Sequence, residues 1–166
     1  CGNHYDYMVV YVDDLMFFTS KNPQQYADEL TTRFGFKLKG TGPAHYHLGI
    51  DFYRDKDGTM CMAPKCYMEK IIDGYVRMFG TKPKAHSPLE HGDHPELDDS
   101  KELDLDGIQK YQSLIGSLQW ENQIGRFDIT TAVMTLASFR ANPHQGHLDR
   151  AKRIYGYLYK FRHGAI

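Results

Sequence analysis

A chain of 166 residues with a formal net charge of −1 is long enough for one compact domain or two small lobes. Its 41% hydrophobic and 13% aromatic content excludes a disordered protein, and no apolar run reaches the ~20 residues that would span a membrane. Three cysteines without a paired metal-ligand spacing predict free thiols in a reducing compartment. Cys1 in place of an initiator Met suggests a piece of a longer protein.

The first predicted elements are two strands across residues 7–18, with Asp13 and Asp14 at the bend between them. The strands are apolar on both faces, which predicts that they are buried. Burying carboxylates is costly unless a partner or a metal compensates, so the acidic pair indicates a divalent-cation site. The same pair also fits an ordinary hairpin turn, because Asp is a common turn residue.

A helix is predicted to begin at Asn22-Pro23, with Gln25 placed to close a capping box, and to end at Gly35. Residues 36–39 then alternate in polarity. Residues 46–53 and 59–62 predict a second hairpin around a polar turn.

From residue 64 onward, helical spacing of apolar residues predominates. One helix is predicted over residues 64–79 and another over 144–161, and Asp106 and Asp128 are predicted to cap two helices between them. Residues 80–107 hold eight acids against three lysines, together with three prolines, and predict an exposed linker. The rest of the chain is therefore mildly basic, which fits a nucleic-acid partner.

The motif Tyr11-Val12-Asp13-Asp14 resembles the Tyr-x-Asp-Asp signature of reverse transcriptases. Further segments, in order and with similar spacing, resemble reverse transcriptases of copia-type retrotransposons: residues 36–42 with 46–50, 82–83 with 87–90, 111–118 with 125–129, and 142–144 with 151–158. Two departures stand out: Phe127 replaces the usual Pro of that family, and Trp120-Glu121 stands where apolar residues are common.

The resemblance implies an α+β chain that comprises the C-terminal part of a polymerase palm and a helical thumb-like lobe. The palm part would take residues 1–63, the first thumb helix 64–79, the acidic linker 80–107 and the helical thumb or connection lobe 108–166. The implied function is RNA-directed DNA synthesis within a Pol polyprotein. Because the fingers and a third palm Asp are missing, we expect the chain to be inactive alone.

The resemblance also implies roles for individual residues. Asp13 and Asp14 would hold two Mg²⁺ ions, for which hard carboxylate oxygens are suitable ligands. Lys39 matches a position proposed to protonate the pyrophosphate leaving group, although an exposed structural lysine has the same appearance. Leu48, Gly49 and Ile50 match the primer grip, for which a bulge in a hairpin is the alternative.

Two sets of basic or aromatic side chains could contact a template-primer duplex. The first set lies on the helix after the second hairpin and comprises Lys65, Lys70 and Arg77. The second set forms a stripe on the last helix and comprises Arg150, Arg153, Tyr157 and Lys160. Solvated charged faces have the same pattern. The nine histidines show no zinc spacing and are expected to be incidental surface residues.

The expected partners are an RNA or DNA template-primer, deoxynucleoside triphosphates, and the rest of Pol, with fingers and palm upstream and RNase H downstream; no membrane partner is expected. The family implies an intracellular location, in a cytoplasmic virus-like particle or in the nucleus. Two alternatives remain open. One is a non-catalytic nucleic-acid-binding remnant of a retroelement, and the other is a small Mg²⁺-dependent hydrolase, for which further clustered acids would be expected.

Overall fold

The computed structural model describes residues 5–40 and 42–163, which divide between two compact units, Cys1–His45 and Tyr46–Ile166. Over the described residues, both units combine helices with antiparallel strands. This mixture agrees with the α+β class. The finer palm and thumb assignment and its four boundaries stay predictions.

The first unit contains one hairpin and one helix within its described residues. Strand β1 (Tyr7–Tyr11) pairs antiparallel with β2 (Asp14–Phe18), which confirms the predicted hairpin. Helix α1 (Gln24–Phe34) ends at Gly35, whose φ of 70° is the left-handed conformation that glycine adopts without strain. The predicted capping box is wrong, because no side chain caps α1 and the Asn22 side chain instead accepts a hydrogen bond from the Gln24 N–H.

The prediction that both hairpin strands are buried is wrong. Every residue of β1 is exposed, between 45% and 62%, and Met16 is the one buried residue of β2. The strands are apolar on both faces, and the described part of this unit supplies one helix to cover them. The alternating residues 36–39 form no strand.

The second unit begins with a three-stranded antiparallel sheet in the order β3 (Tyr46–His47), β4 (Ile50–Arg54) and β5 (Met60–Ala63). The predicted hairpin around residues 54–58 is confirmed. The single strand predicted over 46–53 is wrong, because the chain reverses at Leu48 and Gly49. Their φ values of 52° and 94° are the positive angles that a type I′ hairpin turn requires at both central residues.

Four helices follow: α2 (Lys65–Phe79), α3 (Leu105–Gln123), α4 (Thr130–Ala137) and α5 (Gln145–Lys160), with short 3₁₀ helices at Pro95–Leu97 and Phe127–Ile129. Helix α3 is capped by Asp104, not Asp106, through a 2.8 Å bond from the Gly107 N–H. No side chain caps α4, and Asp128 pairs with Arg126 instead.

The four helices pack around a continuous apolar core. Tyr111 and Tyr155 are almost completely buried, and the Tyr111 hydroxyl donates to the Leu136 carbonyl at 2.6 Å. Burial raises the pKa of both phenols, so both stay protonated donors. Within the described residues, no helix is long and apolar enough to cross a membrane.

Candidate functional site

The acidic pair lies at the tip of the first hairpin. The register places Tyr11 opposite Asp14, so Val12 and Asp13 form the two-residue connection, and both carboxylates are exposed. Val12 has a φ of 51°. A β-branched side chain at positive φ is strained by about 1–3 kcal/mol, and such strain is commonly found at functional sites.

The second hairpin offers an internal comparison, because its turn also begins with an aspartate. The Asp55 carboxylate accepts hydrogen bonds from the backbone N–H of Asp57, at 3.0 Å, and of Thr59, at 2.8 Å. That is the usual way in which Asp stabilises a turn. Among the described residues, no hydrogen bond or ion pair joins the Asp13 side chain. The turn therefore does not use the Asp13 carboxylate, which leaves its oxygens available to a ligand.

The open end of the same hairpin carries an acid that sequence reasoning missed. Asp6 accepts 2.7 Å hydrogen bonds from the hydroxyls of Thr19 and Tyr26, and Lys21 lies 3.3 Å away. These hydrogen bonds and the lysine lower the pKa of Asp6 to about 2. The signal was the register, because pairing Tyr7 with Phe18 places Asp6 beside Thr19. The network attaches the hairpin to α1.

Lys39 lies in the irregular segment after α1 and is exposed. Among the described residues, no hydrogen bond or ion pair holds its ammonium group. Its predicted catalytic role stays a prediction.

Leu48 and Gly49 form the turn between β3 and β4, and Ile50 is the first residue of β4. A Cβ added to Gly49 would lie 3.1 Å from Trp120 Nε1 and 3.2 Å from Ile124 Cδ1. The close side chains of Trp120 and Ile124 and the positive φ therefore both favour glycine here, whether or not a primer approaches this turn. The primer contact stays a prediction.

The two predicted basic surfaces differ in their surroundings. Lys65, Lys70 and Arg77 are exposed on α2. The stripe on α5 instead meets the acidic segment: Arg150 donates to Asp93 at 2.8–3.0 Å and to Asp98, and Arg153 donates to Glu90 at 2.8 Å. Tyr157 is partly buried and Lys160 is exposed. Nucleic-acid binding by either surface stays a prediction.

The contact between Arg150 and the acidic segment is largely shielded from solvent. Side-chain exposure is 21% for Arg150, 13% for Asp93 and 6% for Asp98. The Arg150 hydrogen bonds lower the pKa of Asp93. Burial by itself would raise the pKa of Asp98. The hydrogen bonds from Ser100 and Arg150 have the larger combined effect, so the pKa of Asp98 is lowered. The segment between α2 and α3 is thus fixed to α5 at these residues.

The expectation that the histidines are surface residues is wrong for His147, which is 3% exposed. Its ring stacks on Phe139 at 4.2 Å between centroids. One ring nitrogen lies 2.9 Å from the Pro95 carbonyl, and the other accepts the His144 N–H at 2.9 Å.

Among the described residues, no group of three or more His, Cys, Asp or Glu could hold a metal. Cys61 and Cys66 are free thiols, as predicted, whereas Cys1 lies outside the described residues.

A second missed residue is Glu121 on α3, which is 0% exposed. Neither of its carboxylate oxygens has a hydrogen-bond partner among the described residues. Burial raises the pKa of Glu121 to about 8, against the attraction of Arg126. The available signal was its helical spacing, because Glu121 follows Leu114 by seven residues and Leu118 by three and so lies on the same buried face of α3.

The chain is similar to several known proteins. It is 30% identical over 163 residues to the putative transposon Ty5-1 protein of Saccharomyces cerevisiae. The alignment covers 94% of this chain and 49% of that protein. It is 31% identical over 160 residues to a retrovirus-related Pol polyprotein from transposon RE1 of Arabidopsis thaliana, covering 95% of this chain and 10% of the polyprotein. An uncharacterized mitochondrial protein of A. thaliana is 26% identical over 159 residues.

The chain thus spans about half the length of the first of these relatives and a tenth of the second. No protein-family model and no solved structure matches it significantly.

Proposed function

We propose, on the premise that the chain is a homologue of the Pol polyproteins of Ty5- and copia-type retrotransposons, that it forms part of an RNA-directed DNA polymerase. The observation that carries the proposal is the Asp13 carboxylate. It is exposed at the tip of a strained hairpin, and the turn does not use it, unlike the carboxylate of Asp55.

The residues at the tip fit Mg²⁺ as part of a larger ligand set. Asp13 and Asp14 offer adjacent, exposed carboxylates, which are the hard oxygen donors that Mg²⁺ prefers. When bound, two Mg²⁺ ions would activate a primer 3′-hydroxyl and neutralise charge on an incoming deoxynucleoside triphosphate. Because the described residues hold no three-residue metal cluster, a third carboxylate would come from upstream Pol sequence.

The role of this chain's own residues follows from charge and position. Asp13 and Asp14 would hold the metals, Lys39 would supply a cation to the leaving group, and Leu48, Gly49 and Ile50 would position the primer. Lys65, Lys70 and Arg77 are better placed than Arg150 to meet duplex phosphates, because Arg150 already bonds to Asp93 and Asp98. RNase H downstream and an intracellular virus-like particle or nuclear location belong to the same proposal.

The test is Mg²⁺-dependent primer extension on an RNA template. This chain alone is compared with the chain restored to its upstream Pol sequence, each beside Asp13→Asn. Asp55→Asn is the matched control, because it changes an acid at the other hairpin turn. We expect extension by the longer form and by its Asp55→Asn variant, and a loss of about 10²–10³-fold in Asp13→Asn, as for other losses of an essential electrostatic group.

Two outcomes would contradict the proposal. Equal loss in Asp55→Asn and Asp13→Asn would mean that the substitutions act through folding. No extension by the longer form, with duplex binding retained, would instead identify a non-catalytic nucleic-acid-binding remnant.

A further inference from the structure

A cleft of about 560 Å³ lies in the Tyr46–Ile166 unit, here called the helical unit, between the loop after α3 and the end of α5, and no residue of β3, β4 or β5 lines it. Its volume lies in the range of small-molecule binding sites. Gly125, Arg126, Phe127 and Asp128 line one side, and Tyr157, Lys160, Phe161 and His163 line the other. None of these residues contributes to the Asp hairpin.

Two phenylalanines of the cleft are unusually exposed, Phe127 at 63% and Phe161 at 42%. Phe127 is also the residue that replaces Pro in the resembled motif. Exposed aromatic rings in a concave site with few polar groups are a frequent feature of ligand sites, because ring faces offer a large stacking area.

The rear of the cleft is held rigidly by Arg126, which is 5% exposed. Its guanidinium donates two hydrogen bonds to the Asp128 carboxylate, at 2.9 and 2.7 Å, and one to the Phe161 carbonyl, at 3.1 Å. These bonds neutralise Asp128 and fix the Phe161 backbone against the loop that carries Phe127.

The remaining charge of the cleft is positive. With Arg126 and Asp128 paired, Lys160 is the unneutralised charge among the lining residues. The Lys160 ammonium lies 5.3 Å from the centre of the Phe161 ring and contacts His86, which leaves it further hydrogen-bond donors. A cation next to exposed aromatic rings is complementary to a nucleotide, which has a flat base and an anionic phosphate.

We infer that this cleft binds a nucleotide of single-stranded nucleic acid, with the base stacked on Phe127 or Phe161 and the phosphate at Lys160. This assignment rests on the proposed function only in taking nucleic acid as the partner. Binding at the cleft requires neither Mg²⁺ nor catalysis. It would give the chain a contact with unpaired template or product, separate from any duplex contact on α2.

The test is fluorescence anisotropy of a short fluorescein-labelled oligothymidylate titrated with this chain, without Mg²⁺. We expect Phe127→Leu or Phe161→Leu, at whichever ring holds the base, to weaken binding about tenfold, as for the loss of one base–aromatic stack, and Phe127→Tyr to retain it. Leu105→Ala is the control, because Leu105 is 80% exposed and does not line the cleft. Lys160→Gln should weaken binding and reduce its salt dependence.

Circular dichroism of each variant checks that the helical unit remains folded. No binding by the unchanged chain, or binding that Lys160→Gln weakens while both Phe→Leu variants leave it unchanged, would overturn the inference. Asp13→Asn should bind the oligonucleotide normally. A failure of primer extension with Phe127-dependent binding intact would therefore refute the proposed function and leave the cleft assignment standing.

Discussion

Two residues, Met16 and Ala27, are buried among the described residues of the Cys1–His45 unit, whereas the Tyr46–Ile166 unit buries a continuous core around Tyr111 and Tyr155. The first unit carries the proposed metal ligands with almost no core of its own. In the hairpin, register and turn geometry place the acidic side chains, while in the helices packing determines which residues are inside. Substitutions in the two units should therefore differ in kind.

The largest difference should appear in core truncations. Leu118→Ala, at a 0% exposed position of α3, should lower the free energy of unfolding by about 2–5 kcal/mol, because it loses buried apolar surface and leaves a cavity. Val9→Ala, on the exposed strand β1, should change it by about 0.5 kcal/mol or less. Urea titration measures both. Comparable losses would show that β1 is covered in solution.

The helical unit should also show the larger pH effect, because Glu121 is buried. The pKa of Glu121 rises from 4.5 to about 8, so between these values the unfolded state ionises while the folded state keeps its proton. Stability therefore falls as pH rises through this window. Glu121→Gln should remove that slope and stabilise the protein at pH 8 by on the order of 3 kcal/mol. Parallel pH–stability curves for the two proteins would contradict this.

A smaller effect should separate the two arginines of α5. Arg150→Ala leaves Asp93 and Asp98 partly buried without their cation, and should cost about 2 kcal/mol of stability. Arg153→Ala should cost about 1 kcal/mol or less, because its partner Glu90 is 69% exposed. Thermal unfolding of both variants measures the difference. Equal losses would mean that solvent screens both contacts alike.

The smallest effect concerns the hairpin tip itself. Val12→Gly should relieve the strain of a β-branched residue at positive φ and raise the local opening free energy by about 1 kcal/mol. Hydrogen exchange of the amides around Tyr11 and Asp14 measures this opening. Faster exchange in the variant would show that Val12 is not strained.

Much of the local structure could be predicted from sequence, because short-range signals determine it. The Asp hairpin, the end of α1 at Gly35 and the helix of residues 65–79 follow from apolar periodicity and from glycine at helix ends. The failures were at turns and caps. Leu48 gives no sign that it will adopt positive φ, and Asp104 and Asp106 are both suitable caps for α3.

Contacts between residues that are far apart in the sequence could not be predicted from these short-range signals. Nothing in the acidic composition of residues 80–107 indicates that Asp93 and Asp98 meet Arg150, more than fifty residues later. The burial of His147 depends on the Pro95 carbonyl, which is equally distant in sequence. Asp13 and Asp14 could be proposed as site residues because their motif is contiguous, whereas the cleft at Phe127 and Phe161 forms only when α3 and α5 pack.

Paramagnetic broadening of backbone amide signals by Mn²⁺, used in place of Mg²⁺ on this chain, would test whether Asp13 and Asp14 bind a divalent cation. We expect signals from Val12 to Leu15 to broaden first, and Asp13→Asn to remove this effect. The turn at Asp55, whose carboxylate is used by its own backbone, should broaden only at higher Mn²⁺. Equal broadening at both turns, or broadening confined to the acidic segment, would contradict the assignment of Asp13 and Asp14 as metal ligands.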